Sequence, residues 1–556
     1  MKTFFTLLYL STFLLSATQE KADRLLRRLY LDTQNRLPSV SEYYSGTELI
    51  KTGRYEKLVN DLLKSEEFRG NLATKIVDHY APKRQDRDQH PLVYRGLEKH
   101  VKKEYVKVGG DFRKFIRDML SADGISARNK MVLFYTGEED SKMMAGRFTE
   151  NVWGITLACS ECHDHKYYPE LKHENFWSMA TFFEGMEKRY VKTEKELKAL
   201  KKKFAKSYRN QEALGPEFKD VLDWIAMEER GQSIYDEISY EESRGQNLSM
   251  KFEMGEMSSD KALLAPQLYI FEKERRLTHL KLEYVVEEKK YTARPRLLFG
   301  PDRALHITRS ARDYLADWMA YKKPLYFSRS TSNWVAHWLI GRGIVMPAND
   351  VYGANHDNGE RLDTYAKIFE DNGFDLYVLV KTVLMSDIYR MSSAEKSDEE
   401  GFIYFKSRKI RHLDGEQILN VLMTDTMKSF EKEESWQSLY KLEKDKEKYI
   451  DDMFPSSLSD SEAFYRGSLS QALFLASNKA ALEFIDNKAK AWYALSQKKD
   501  FELFLNEFFV HYYTRLPNER ERLFFENKLD LNTSYVNSGV FEMTWTIINS
   551  PEFRVY

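Results

Sequence analysis

Residues 159–165 read Cys-Ser-Glu-Cys-His-Asp-His, and this heptapeptide holds the only two cysteines of a 556-residue chain. Two residues separate the cysteines, and His163 directly follows the second one. Cys-x-x-Cys-His is the attachment signature of a c-type haem, in which both thiols form thioethers and the histidine binds the iron. The stretch therefore predicts a haem site made by Cys159, Cys162 and His163.

The residues before the heptapeptide have the spacing of an amphipathic helix. Apolar or cysteine side chains recur at intervals of three and four residues, at Val152, Ile155, Cys159 and Cys162. Side chains at these intervals share one helix face, and His163 extends that face. We therefore predict that the site lies at the end of a continuous apolar helix.

A second predicted helix, Asn175–Met186, carries an apolar stripe that includes Phe176, Met179 and Phe183. Such a stripe can form one wall of a flat cofactor, but it is also typical of ordinary core packing. The candidates for a sixth haem ligand are His79, His90, His100, His173 and the Met143-Met144 pair.

Metal binding is a second interpretation of the heptapeptide. Zinc would take Cys159, Cys162, His163 and His165, although structural zinc sites usually draw two ligands from a distant segment, so that a distant histidine can replace one of them. His163, Asp164 and His165 are also candidate ligands of a divalent cation. Alternatively, Asp164 or a backbone carbonyl orients a histidine ring without binding a metal.

A disulfide or a reactive thiol pair is the third interpretation. An exported protein is exposed to oxidising conditions that favour disulfides. However, the loop closed by Cys159 and Cys162 is short, so a disulfide there removes little conformational entropy from the unfolded chain. Cys-x-x-Cys oxidoreductases normally carry the motif in a βαβ setting, which the sequence before Cys159 does not predict.

The N-terminus predicts export. Lys2 provides a positive charge, residues 4–17 form an apolar core, and Ser16-Ala17-Thr18 offers small residues for cleavage. This core is too short to span a bilayer and has the length of a signal peptide. We therefore expect a periplasmic or extracellular protein with no transmembrane segment in the mature chain.

Charge and composition exclude some classes of protein. The chain has 85 Lys and Arg against 86 Asp and Glu, so it lacks the basic excess of nucleic-acid-binding proteins. Thirteen prolines and 25 glycines are few for this length, which favours a mainly α-helical fold over a turn-rich β-sandwich.

The hydrophobic pattern predicts two helical domains joined by an insert with minor β content. We assign residues 1–17 to the signal peptide, 18–186 to an N-terminal helical domain, 187–293 to a variable charged insert, and 294–556 to a C-terminal helical domain. Within the insert, Glu194–Ser207 predicts a solvated helix and Lys281–Thr292 has β character. The other clearly periodic segments predict helices at Lys21–Asp32, Tyr55–Ser65, Phe68–Tyr80, Tyr94–Tyr105, Ala311–Tyr321, Ser330–Leu339, Arg361–Asn372, Leu376–Met385, Leu413–Phe430, Phe464–Ser477, Phe501–Thr514 and Val540–Ile548.

Several motifs, in order along most of the chain, carry a family resemblance. They lie at residues 27–38, 55–65, 159–165, 182–183, 333, 341–345, 374–376, 386–389, 411–417, 471–475 and 549–553. Through them the chain resembles the two-domain exported planctomycete cytochrome-C-like proteins, which have paired domains of unknown function and a Cys-x-x-Cys-His-Asp-His hallmark. It departs from the family pattern at Trp334 and Ala336, and at Tyr168, where relatives commonly have aspartate.

The resemblance implies fold and compartment more firmly than activity. We expect an exported protein with a c-type haem site that transfers electrons to an unknown redox partner or another extracytoplasmic protein. The alternative is a non-redox structural or binding protein whose cluster holds zinc or a disulfide, associated with the degradation of extracytoplasmic polymers. The sequence leaves open whether the chain is an enzyme, because catalytic sets need not be contiguous in sequence.

Overall fold

The computed structural model describes residues 21–82, 91–126, 129–137, 140–166, 168–193, 263–272, 279–286, 288–300, 310–352, 358–392, 408, 410–430, 446, 448–450, 453 and 469–556. The predicted signal peptide and the predicted solvated helix at 194–207 lie outside these residues, as does most of the predicted insert. The predicted sixth ligand His90 also lies outside them.

The first half of the described chain consists of eight helices and two short 3₁₀ helices. The helices are α1 (Ala22–Gln34), α2 (Val40–Lys51), α3 (Tyr55–Leu63), α4 (Glu66–Tyr80), α5 (Pro91–Glu104), α6 (Arg113–Leu120), α7 (Ser141–Trp153) and α8 (His173–Glu184), and the 3₁₀ helices are Lys130–Tyr135 and Ala158–Glu161.

The second half adds eleven helices. They are α9 (Ala311–Asp317), α10 (Pro324–Ile340), α11 (Gly359–Asp371), α12 (Leu376–Met385), α13 (Asp387–Arg390), α14 (Gly415–Phe430), α15 (Leu469–Ser477), α16 (Lys479–Ser496), α17 (Phe501–Tyr513), α18 (Glu519–Lys528) and α19 (Val540–Asn549). A π-helical turn, Trp318–Lys322, follows α9, and a 3₁₀ turn, Tyr535–Asn537, precedes α19. Over the described residues, no helix is both long and apolar enough to cross a membrane.

The mainly α-helical prediction is confirmed, and helix ends follow recognisable capping signals. Ser39 caps α2: its side chain accepts a hydrogen bond from the Glu42 amide, while the Glu42 carboxylate accepts one from the Ser39 amide. This reciprocal pair is a capping box. The sequence did not predict α16 or α18, although Asn478 and Asn518 cap their first turns.

In the part of the chain that the structure describes, two antiparallel sheets provide the minor β content. Strands β1 (Gly124–Ile125) and β2 (Met186–Thr193) both pair with β3 (Leu263–Glu272), which lies between them. Strands β4 (Leu282–Val286) and β5 (Lys289–Ala293) form a hairpin in which Tyr284 is opposite Tyr291. The β character predicted for Lys281–Thr292 is therefore confirmed.

Two hydrophobic cores organise the helices, and they do not separate at residue 294. The first core runs from Leu25 to Tyr389 and also takes in Val510. In it α10 packs against α7, and α12 packs against α3. The second core contains buried residues between Leu413 and Phe553, together with Leu31 and Leu37 from the N-terminal side. The helices from α9 to α13 thus share one core with the N-terminal helices, and the proposed domain boundaries stay a prediction.

The two cores meet at a buried carboxylate. Asp32, at 2% exposure, accepts a hydrogen bond from Arg411 Nη1 at 2.8 Å. Its Oδ1 also accepts the Tyr556 hydroxyl at 3.1 Å, and its Oδ2 accepts the Tyr389 hydroxyl at 2.9 Å. The C-terminal chain is therefore joined to α1 through one buried charge.

Buried arginines on both sides of Asp32 bind backbone carbonyls. Arg28 donates to the carbonyl of Tyr389, which also accepts a hydrogen bond from Arg408. Arg27 donates to the carbonyls of Tyr512 and Phe553. Burial lowers the pKa of Arg408 to about 9 and that of Arg27 to about 10, so both remain charged at neutral pH. These arginines neutralise the carbonyl-rich ends of helices and the C-terminal segment.

We predict that Arg411→Met lowers the free energy of unfolding by about 3–5 kcal/mol, because removing one partner of a buried ion pair leaves the other charge uncompensated. Lys57→Met is the control, because it breaks the exposed Lys57–Asp61 pair and should cost less than about 0.5 kcal/mol. Urea unfolding of the full chain measures both values. Equal costs for the two variants would contradict the structural role of Asp32.

Candidate functional site

The helix before the heptapeptide ends earlier than the sequence predicts. Helix α7 stops at Trp153, because Gly154 adopts a left-handed conformation with φ 62°. The Gly154 amide donates to the Glu150 carbonyl at 2.8 Å, and its carbonyl accepts the Val351 amide at 2.7 Å. The prediction of one continuous helix from Val152 to His163 was therefore wrong.

The two cysteines lie on a short 3₁₀ helix and the turn that follows it. Cys159 belongs to the 3₁₀ helix Ala158–Glu161, and Cys162 is its C-terminal cap. Both cysteines are exposed and carry free thiols. Ser160 between them is buried, and its hydroxyl donates to the Leu171 carbonyl at 3.3 Å. The 3₁₀ helix thus directs its serine inward and leaves the cysteines at the surface.

His163 is exposed and has a defined contact at one ring nitrogen. Its Nδ1 lies 2.7 Å from the backbone carbonyl of Asp164. A carbonyl oxygen can only accept a hydrogen bond, so Nδ1 carries the proton in this contact. In the neutral ring the lone pair then lies on Nε2, which is the arrangement found in histidines that bind metals through Nε2.

The Asp164 side chain turns away from His163 and contacts His173. Its Oδ1 accepts hydrogen bonds from the His173 amide and from His173 Nδ1, each at 3.0 Å. The hydrogen bond from the His173 ring lowers the pKa of Asp164. The carboxylate therefore stays ionised at neutral pH and fixes the start of α8.

His165 has a third, separate environment. It is buried at 8% exposure, its amide donates to the Leu171 carbonyl at 2.9 Å, and its ring stacks on Tyr168 at a centroid distance of 4.7 Å. His163, Asp164 and His165 thus do not converge on one point. Within the described part of the chain, no group of three or more His, Cys, Asp or Glu side chains is arranged to hold a metal ion.

Trp177 lies directly against the heptapeptide. Its Nε1 donates to the Glu161 carbonyl at 3.0 Å. The Glu161 carboxylate accepts a hydrogen bond from Lys142 at 2.8 Å, which raises the pKa of Lys142. The Lys142 ammonium is 5.7 Å from the centre of the Trp177 ring. Trp177, Glu161 and Lys142 are thus linked by direct contacts beside the cysteine turn.

The aromatic stripe of α8 is part of the protein core. Phe176, Met179 and Phe183 are buried in the first core, and Phe183 stacks on Phe148 at a centroid distance of 5.5 Å. The core-packing interpretation is confirmed for these residues. Trp177, one residue after Phe176, is the aromatic of this helix that bonds to the heptapeptide.

Among the predicted sixth ligands that the structure describes, His173 contacts the heptapeptide through Asp164. His79 is buried elsewhere, with Nε2 at 3.2 Å from the Asn151 carbonyl and its ring stacked on Trp334. The sequence suggested His173 as an axial ligand but did not predict its contact with Asp164, nor the role of Trp177. The signal available in the sequence was the four-residue spacing of His173 and Trp177, which places both on one face of α8.

The donor set fits a covalently attached haem. Two exposed thiols can form thioethers, and His163 presents an imidazole whose Nδ1 is already bonded to a carbonyl. The set does not fit the predicted zinc site equally well, because His165 is buried against Tyr168 instead of facing the cysteines.

Family models match two segments of the chain. Residues 13–188 match PSCyt2, described as a protein of unknown function (DUF1549), and residues 311–470 match PSD1, described as a protein of unknown function (DUF1553). The chain carries these paired domains of unknown function. The heptapeptide lies within the PSCyt2 segment, and Val351, which bonds to Gly154, lies within the PSD1 segment. No curated protein and no solved structure matches the chain.

We predict that Gly154→Ala destabilises the protein more than Gly53→Ala. Both glycines have a positive φ, which costs alanine about 1–2 kcal/mol. A Cβ at Gly154 would also lie 2.5 Å from Val351 Cγ2, whereas a Cβ at Gly53 meets nothing within 4 Å. Thermal unfolding of both variants measures the difference. If Gly154→Ala destabilises the protein no more than the control Gly53→Ala, the contact with Val351 is not tight.

Proposed function

We propose that this chain is an exported protein that carries a covalently attached c-type haem and transfers electrons. The observation that carries the proposal is the 2.7 Å contact between His163 Nδ1 and the Asp164 carbonyl, next to two exposed free thiols. This contact keeps the proton on Nδ1 and leaves Nε2 as the nitrogen that can bind iron.

Each residue of the site has a distinct role in this proposal. Cys159 and Cys162 would hold the haem through thioether bonds, and His163 would supply a nitrogen to the iron. Bound haem supplies a reversible one-electron couple. The exposed positions of the three side chains support electron exchange with a redox partner, because the partner can approach this surface closely. The apolar N-terminal segment supports export. Export is compatible with the proposal, because covalent haem attachment takes place outside the cytoplasm.

A second candidate function is a non-redox structural or binding protein in which the cysteines hold zinc or form a disulfide. Trp177 favours this candidate, because its buried indole donates to the Glu161 carbonyl and so holds the turn directly against α8. Two free cysteines three positions apart can also close a short disulfide in an oxidising compartment.

We predict that the chain exported from a host with haem-attachment machinery retains haem after denaturation. A pyridine haemochrome spectrum should show about one haem per chain, because thioethers survive unfolding. The Cys159→Ser/Cys162→Ser double variant should show no retained haem. His279→Ala, which changes an exposed histidine outside the heptapeptide, should behave as wild type.

Two further measurements on the same samples separate the candidate functions. Wild-type protein that retains no haem after denaturation would refute the electron-transfer proposal. Zinc at about one ion per chain in elemental analysis would then favour a metal site. Loss of both thiols in a titration without reductant would favour the disulfide.

A further inference from the structure

Helix α8 contacts the heptapeptide at two points, one helical turn apart. His173 and Trp177 are four residues apart, so they lie on the same helix face. Trp177 Nε1 donates to the Glu161 carbonyl at 3.0 Å, and His173 donates twice to the Asp164 carboxylate. The residues between these two anchored positions are Cys162 and His163. The helix therefore brackets the second cysteine and the histidine of the motif.

The β4–β5 hairpin supports both side chains of α8 from behind. Tyr284 stacks on Trp177 with ring centres 4.5 Å apart and planes at 10°. Tyr284 also stacks on Tyr291 at 5.3 Å. Both tyrosines meet the His173 ring edge-on, at 6.2 Å and 5.8 Å. Because Tyr284 and Tyr291 are cross-strand partners, the hairpin holds His173 and Trp177 as one aromatic group.

Asp164 connects this aromatic group to His163. Its side chain is held by His173, while its backbone carbonyl accepts the proton of His163 Nδ1. Fixing the Asp164 side chain restrains the torsions that set the direction of its carbonyl. We propose that His173 is a positioning residue, which acts through Asp164 to keep the proton of His163 on Nδ1 and Nε2 available. The inference rests on the proposed function in one respect only, which is the identity of the group that His163 Nε2 binds.

Because His173 and Asp164 are partly exposed, we expect the main effect of their contact to be the orientation of the His163 ring. The side chains of His173 and Asp164 are 26% and 54% exposed. A side-chain contact at this exposure adds little to global stability. The structural consequence of His173 is therefore expected at the His163 ring, which makes the inference testable by a local probe.

The test uses the tautomer of His163 as its readout. The full-length exported chain is produced without haem-attachment machinery and with ¹⁵N-labelled histidine, and His163→Gln assigns the resonances of that ring. His173→Phe keeps a ring edge-on to the tyrosines and the backbone amide that donates to Asp164, but removes the side-chain donor to Asp164. The matched variant His173→Asn keeps a side-chain N–H donor. Above the titration range of the ring, ¹⁵N shifts report the ratio of the Nδ1–H to the Nε2–H form.

We expect His173→Phe to lower this ratio about fivefold, the effect of losing one hydrogen bond. His173→Asn should restore at least half of the wild-type ratio on the same argument. Asp164→Ala, a second variant that keeps the backbone carbonyl, should lower the ratio as His173→Phe does. A wild-type ratio in both His173→Phe and Asp164→Ala would overturn the inference, and so would equal losses in His173→Phe and His173→Asn.

The result is independent of haem, because the protein in this experiment carries none. A fivefold effect in a chain that retains no haem in the haemochrome test would keep the positioning role and remove the electron-transfer proposal. Where haem is retained, His173→Phe should also shift the reduction potential relative to His173→Asn, since the orientation of the axial ligand tunes the iron. Equal potentials in those two variants would count against the inference.

Discussion

The buried carboxylate of Asp32 is the constraint on which the rest of the structure depends. A charge at this depth is tolerated only when it is paired and fully hydrogen-bonded, and Arg411, Tyr389 and Tyr556 together meet that requirement. These partners come from three distant parts of the chain. Helix α1, the end of α13 and the C-terminal segment must therefore assemble at one place, and Arg28 adds to this junction by binding the Tyr389 carbonyl.

This assembly explains why the PSCyt2 and PSD1 segments cannot be treated as independent units. Helix α10 belongs to the PSD1 segment but packs against α7, the helix that leads into the cysteine turn. The carbonyl of Gly154, where α7 ends, accepts a hydrogen bond from Val351 in the PSD1 segment. The position of the candidate site is therefore set from both segments. The PSD1 segment thus contributes a hydrogen bond to the residue directly after the end of α7.

Local sequence signals predicted the elements whose ends are determined locally. Helix α12 spans Leu376–Met385 as predicted, because Asp375 caps its first turn and Ser386 ends it. The helix assigned across Val152–His163 failed because the apolar spacing continues past Gly154 and outweighed a local stop signal. Gly154 is left-handed and its amide donates to the Glu150 carbonyl, as is typical of a helix C-terminus, while the Val351 amide adds a hydrogen bond from almost 200 positions away. The sequence predicted the chemistry of Cys159, Cys162 and His163, whereas the contacts of Trp177 and His173 follow from the packing of α8 against the turn.

The candidate site has a closed inner side and an open outer side, and this asymmetry bears on function. Trp177, Glu161 and the core beneath them occupy the inner side, while the cysteines and His163 face solvent. Chemistry that depends on excluding water is not favoured on such a surface, because exposed groups keep their hydration and their interactions are screened. Electron transfer requires close approach of a partner and does not require enclosure of a substrate. In the proposed function, the exposed motif, held by α8 and the β4–β5 hairpin, would serve as a contact point for a redox partner, and this role does not require a pocket for a small substrate.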